Sequence, residues 1–67
     1  METKRFSGRL LRKMRERQRM SREKLALKIG VGTHIIRAWE QDSFIPSAIS
    51  MDMMFRVLQC EEADLFE

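Results

Sequence analysis

The sequence predicts an all-α fold, a compact bundle of four or five helices. Three observations lead there. Apolar residues recur at three- and four-residue spacing in several separate segments. No segment shows the strict apolar–polar alternation of a strand. Gly30 and the stretch Asp42–Ser47, with its one proline, punctuate the apolar segments where turns are needed.

The elements follow in order along the 67 residues. Met1 to Arg5 reads as a short polar arm that frays. A first helix is expected from about Ser7 to Gln18, with Phe6, Leu10, Leu11 and Met14 on its core face and Arg9, Arg12, Lys13, Arg17 and Arg19 elsewhere. Ser21 is a natural N-cap for a second helix, because its hydroxyl accepts a free backbone N–H. That helix carries Leu25, Ala26 and Ile29 on one stripe and ends at Gly30, where glycine reaches positive φ without steric cost. A third helix starts near Thr33, capped by Gly32 or Thr33, and ends near Gln41, with Ile36 and Trp39 facing inward. Trp39 at that spacing reads as core, not as a platform for stacking bases. Ser47 caps a fourth helix from about Ala48 to Gln59, whose inner face is Ala48, Met51, Met54, Phe55 and Leu58. Glu61 to Phe66 forms a last short turn, with Leu65 folding back.

Composition narrows the function classes. Residues 1–67 make one domain, with no room for a second. The single cysteine, Cys60, cannot close an intrachain disulfide and reads as an inert core thiol. One His and one Cys cannot build a structural zinc site, so no metal is expected. No apolar run approaches the ~20 residues of a membrane span, and no signal peptide is visible. A cytoplasmic protein is expected. No nucleophile–base pair, carboxylate dyad or phosphate loop is present, so no enzyme and no catalytic residue are expected.

The net charge of +3 is unevenly spread. Residues 1–37 hold twelve Lys/Arg against Glu2, Glu16 and Glu23, a balance of +9. Residues 38–67 hold only Arg56 against seven acids, a balance of −6. Scattered charge is a solvated surface. Segregated charge points to an N-terminal half that meets an anion.

Residues 21–41 combine these signals. Two short helices joined by a tight glycine turn, with small Ala26 at the crossing and Val31 plugging the corner, make a helix-turn-helix core. Ser21, Leu25, Ala26, Gly30, Val31, Ile36, Trp39 and Glu40 stand in register, without a gap, with the pattern Leu-Ser-Gln-x-x-Leu-Ala-x-x-x-Gly-Val-Ser-x-x-x-Ile-x-x-Trp-Glu. The segment thus resembles the phage repressor/Cro (XRE-type) helix-turn-helix family of DNA-binding transcriptional regulators. Arg15, Pro46, Leu58 and Leu65 extend the likeness over about residues 7–66.

The resemblance implies a lambda-repressor-like DNA-binding domain and assigns roles. Thr33, His34 and Arg37, with Ala38 beside them, occupy the base-reading positions of the recognition helix 33–41. Arg37 can pair bidentately with guanine. Ile35 faces outward by the helical period, toward thymine methyl groups or against the second helix. Arg22 stands where the family has a glutamine that reaches a phosphate, and Gln41 at a second phosphate position. Arg9, Arg12 and Arg15, with Lys4 and Arg5 of the arm, are further backbone contacts. Arg15 and Glu40 correspond to the family's partly buried pair. Gly32 replaces the usual serine cap, and Asp42–Ile45 replaces a Gly- and Lys/Arg-rich loop.

Leftover apolar residues near the C-terminus (Ile49, Met53 and Phe66) suggest a dimer interface formed by residues 48–67, with the 42–47 loop as a possible addition. The expected protein is therefore a small, stand-alone, Cro-like homodimeric repressor of a phage or bacterial cell, binding a palindromic operator in double-stranded DNA. No cofactor or small-molecule ligand is expected. A restriction–modification controller or an antitoxin-type autoregulator uses the same fold. A protein-interaction module without DNA binding is the alternative of another class, and charge reversals at Arg22, Arg37 and the first helix would leave its activity untouched.

Overall fold

Serine hydroxyls open three of the five helices in the computed structural model, which describes residues 4–67. Ser7 accepts the Leu10 N–H at 3.2 Å and starts α1, Gly8–Arg17. Ser21 accepts the Lys24 N–H at 3.0 Å and starts α2, Arg22–Ile29. Ser47 accepts the Ser50 N–H at 3.2 Å and starts α4, Ala48–Leu58. Each satisfies one of the donors that a helix start leaves unpaired. Between α2 and α4 runs α3, Thr33–Glu40, whose cap Gly32 has no side chain to offer. A final turn, α5, Glu62–Leu65, is opened by a reciprocal box: the Glu61 side chain accepts an N–H from the turn, and the Glu61 N–H donates to Asp64 Oδ2 at 2.9 Å.

The ends are as specific as the starts. Gly30 closes α2 at φ 87°, and its N–H donates to the Ala26 carbonyl at 2.8 Å. Among the described residues, three besides glycine also take left-handed backbone: Arg19, Asp42 and Gln59. Such a residue costs roughly 1–2 kcal/mol, so each must be held by its surroundings. Asp42 shows how. Its Oδ1 accepts the Gly8 N–H at 2.8 Å, capping the start of α1 from the far end of α3.

Every helix contributes to one core. Leu11 of α1, Leu25 of α2, Ile36 of α3, Met54 and Leu58 of α4 and Leu65 of α5 are fully buried. Phe6, Met14, Ala26, Ile29, Trp39 and Met51 close around them. α2 packs on α3 and α4, and α1 on α3 and α5. Gln18 Nε2 donates to the Leu58 carbonyl at 3.0 Å, tying the end of α1 to the end of α4. The crossing of α1 and α3 is close: a Cβ at Gly8 would run into the Trp39 and Glu40 carbonyls.

Four expectations need correction. Leu10 is half-buried and outside the core, because the inner face of α1 runs Gly8, Leu11, Met14, Arg15 and gives a core position to an arginine. Ala48, the first residue of α4, is exposed, since the helix start overhangs the core. Ile35 does not face outward; it is half-buried and packs against the core. The arm is anchored at Arg5. Arg5 and Glu67 exchange both backbone hydrogen bonds at 2.9 Å, and the Ser7 N–H donates to the Leu65 carbonyl at 2.8 Å. Phe6 and Phe66 meet edge to face, with centroids 6.2 Å apart, across this bridge. Met1 to Thr3 of the expected arm lie outside the described residues.

Candidate nucleic-acid interface

Helix α3 is held from below. Ile36 and Trp39 are buried under α3, and the Trp39 indole N–H makes no hydrogen bond among the described residues, so this ring contributes packing. What remains outside is the face of His34 and Arg37, both exposed, flanked by the half-exposed Thr33 and Ala38. The four expected base-reading residues therefore share the outer side of one two-turn helix. His34 has a particular pose. A Cβ at Gly32 would overlap its imidazole, so the ring lies folded over the helix start, in the space a larger cap residue would take.

The ionic groups around α2 and α3 divide by burial. Arg15 is 8% exposed in its side chain and spends its guanidinium internally. Its Nε and Nη2 donate to Glu40 at 2.6 and 3.3 Å, and its Nη1 donates to the Met20 carbonyl at 2.8 Å. This leaves it as a strut between α1, the α1–α2 turn and α3, with little left for a phosphate. Glu40, 2% exposed, also accepts from Arg22 Nε at 2.9 Å. The sequence pointed to the Arg15–Glu40 pair but not to this third member. Arg22 starts α2 and Glu40 ends α3, and only the crossing of the two helices brings them together.

The outer cations are differently placed. Arg9 pairs with Glu67 at 2.6 Å and Arg12 with Glu16 at 3.2 Å, all four side chains more than half exposed. Exposed pairs contribute ~0–1 kcal/mol, so either arginine can exchange its partner for a phosphate at little cost. Gln41 is the C-cap of α3 and is exposed at the surface. Lys4 and Arg5 are exposed beside the start of α1. Asp42, read from sequence only as a loop acid, is the distant cap of α1.

Of the expected dimer residues, Ile49 is 76% exposed, whereas Met53 and Phe66 are half-buried against the core. Phe44 and Ile45, in the loop before α4, are exposed with Ile49. Leu27, on the outer face of α2, is 82% exposed and was not anticipated. Cys60 is half-buried, and its thiol is pushed up by burial and by Asp64, against an opposing pull from Arg17. Among the described residues no three His, Cys, Asp or Glu side chains gather to hold a metal ion. Among the described residues no helix is long and apolar enough to cross a membrane.

A helix-turn-helix family model matches residues 11–65, nearly all of this architecture. The chain belongs to the XRE-type helix-turn-helix family of DNA-binding transcriptional regulators. No curated protein sequence matches it significantly. Several solved structures of the fold do. The restriction–modification controller protein C.AhdI from Aeromonas hydrophila superposes with a TM-score of 0.80 at 25% identity, covering 88% of this chain and 89% of that one. The P22 c2 repressor, solved in complex with a synthetic operator, gives 0.79 at 23% identity over 85% and 86%. The biofilm regulator SinR, solved in complex with DNA, gives 0.74 at 24% over 81% and 87%. At these identities the last two establish the fold.

Proposed function

We propose that this chain is a small, Cro-like dimeric repressor that reads a palindromic operator with α3. The observation that carries the reading is the outer face of α3. Thr33, His34, Arg37 and Ala38 stand together on a helix whose opposite side is locked by Ile36, Trp39 and the Arg15–Glu40–Arg22 cluster. A rigid helix of this size fits the major groove, with Arg37 placed to meet a guanine edge and Thr33 and His34 to meet neighbouring bases. Arg22, Gln41, Arg9 and Arg12 then supply backbone contacts. Arg15 acts by holding the helices. The P22 c2 and SinR structures, both solved with DNA, support the same use of the fold.

Dimerisation completes the reading. Residues 48–67, together with the loop before α4, are its proposed surface, and exposed Phe44, Ile45 and Ile49 support it. Two copies related by a two-fold axis would place their α3 helices about one helical turn of DNA apart. In this reading the protein works in the cytoplasm on the chromosome or a mobile element, with no catalytic role.

The test is selection from random duplex DNA followed by sequencing. A palindromic motif with half-sites about one helical turn apart supports a dimeric sequence-specific regulator. Recovery of unenriched DNA would sink it. A second reading, the restriction–modification controller, draws on the C.AhdI match, which has the highest TM-score of these three and covers both chains nearly end to end. A promoter–reporter assay separates the two: repression favours the first, activation the second.

A further inference from the structure

The Arg15–Glu40–Arg22 cluster is unbalanced, and the imbalance has a direction. Two guanidiniums surround one carboxylate, which leaves one positive charge over. Arg15 cannot display it: its guanidinium is buried, and all three nitrogens are engaged, on Glu40 and on the Met20 carbonyl. Arg22 can. Its side chain is one-third exposed, and Nε, at 2.9 Å from Glu40, is its only nitrogen with a hydrogen-bond partner among the described residues. The surplus charge is therefore presented at the two η nitrogens of Arg22.

Fixing Nε also fixes the plane. A guanidinium is flat, so an Nε held by a buried carboxylate sets where Nη1 and Nη2 stand. A free surface arginine must give up rotamer freedom to grip a ligand; this one has already done so. Because much of the group is withdrawn from water, an anion at the fork interacts with it more strongly than with a fully solvated cation.

We propose that Glu40 is a positioning residue for the DNA contact. It holds Arg22 through Nε so that the Nη1/Nη2 fork grips one backbone phosphate. Glu40 is the last residue of α3, so this grip on the backbone is wired directly to the helix that reads bases. The inference rests on the DNA-binding reading above and adds to it a carboxylate that never touches DNA.

Two measurements test it on the full chain with a duplex of unselected sequence, by fluorescence anisotropy across a salt series. Arg22→Lys keeps the charge but loses the planar fork; its ammonium cannot hold Glu40 and a phosphate in one fixed geometry. Affinity should fall about tenfold, the size of one charged hydrogen bond, with the salt slope unchanged. Arg22→Gln should lower that slope by about 0.9, the loss of one phosphate contact. A lysine variant that binds as tightly as the unaltered chain, or a glutamine variant with an unchanged slope, overturns the proposal. NMR of the unaltered chain needs no substitution to fold. The Arg22 Nε–H should stay protected from exchange when DNA is added, while the Nη signals become resolved. Faster Nε–H exchange on binding would mean that phosphate pulls Arg22 off Glu40, and the proposal fails. Absence of any duplex binding by the unaltered chain is a separate outcome, and it removes the DNA-binding reading itself.

Discussion

At the residue scale, burial decides which charged groups can act on a ligand. Arg15 and Arg37 have the same side chain, but one is buried in an ion pair and the other stands exposed on α3. Arg37→Ala should relax the preference at one position of each half-site by ~1–3 kcal/mol while leaving overall affinity for unselected DNA nearly intact. Competition binding against operators changed at single positions checks this, and a uniform loss across all sequences would contradict the base-reading role. Cys60 follows the same logic. Burial and Asp64 raise its pKa, so the thiol stays neutral through ordinary pH. Alkylation at about pH 8 should be slower than that of an exposed cysteine in a peptide, because the thiolate is the reactive form. The linkage has a defined sign. A raised thiol pKa leaves stability unaffected below the unfolded-state value and lowers it as pH rises through the folded-state value.

At the scale of elements, two glycines serve for opposite reasons. Gly30 has open space around it and a positive φ, so its requirement is conformational. Gly8 has no such φ, but α3 carbonyls stand where its Cβ would be, so its requirement is steric. Gly30→Ala should cost ~1–2 kcal/mol, and Gly30→Asn less, because asparagine tolerates left-handed backbone. Gly8→Ala should cost ~1–3 kcal/mol, as overpacking does, and asparagine there should be worse, not better. Thermal denaturation of the four variants checks both, with each kcal/mol worth roughly 4–8 °C in a chain of this size. Equal responses to alanine and asparagine at both sites would refute the distinction.

At the scale of the whole molecule, charge is sorted along the chain, and of the large exposed apolar side chains all but Leu27 lie in the acidic part. The N-terminal 37 residues are strongly basic and supply α1, α2 and most of α3. The acidic remainder carries exposed Phe44, Ile45 and Ile49. In the proposed reading, basic side chains of the first half meet polyanionic DNA and the apolar residues around the start of α4 meet a second copy. Ile49→Glu should shift the sedimentation coefficient toward monomer at micromolar concentration and weaken operator binding, with the helical content by circular dichroism unchanged. A wild-type chain that sediments as a monomer up to high concentration would restrict pairing to the DNA-bound state. An unchanged dimer in the variant would move the interface off α4.

Local rules made much of the fold legible. Ser7, Ser21 and Ser47 mark helix starts because a hydroxyl beside an unpaired N–H is a short-range event. Gly30 marks an end because positive φ is a property of one residue. The spacing of Leu25, Ala26, Ile29, Ile36 and Trp39 shows the inner faces, since helical period is written in consecutive positions. What needed the tertiary structure is what joins positions far apart in the chain. The Gly8–Asp42 cap, the bridge of residues 5–7 to residues 65–67 and the third partner of Glu40 all span long separations. No local pattern marks them, because each exists only once the helices have crossed. The helix-turn-helix and the outward placing of His34 and Arg37 were thus determined by the sequence itself, whereas the inward turn of Ile35 was not. Which arginine is spent inside and which is left at the surface was decided by packing, because only packing sets how much water each guanidinium keeps.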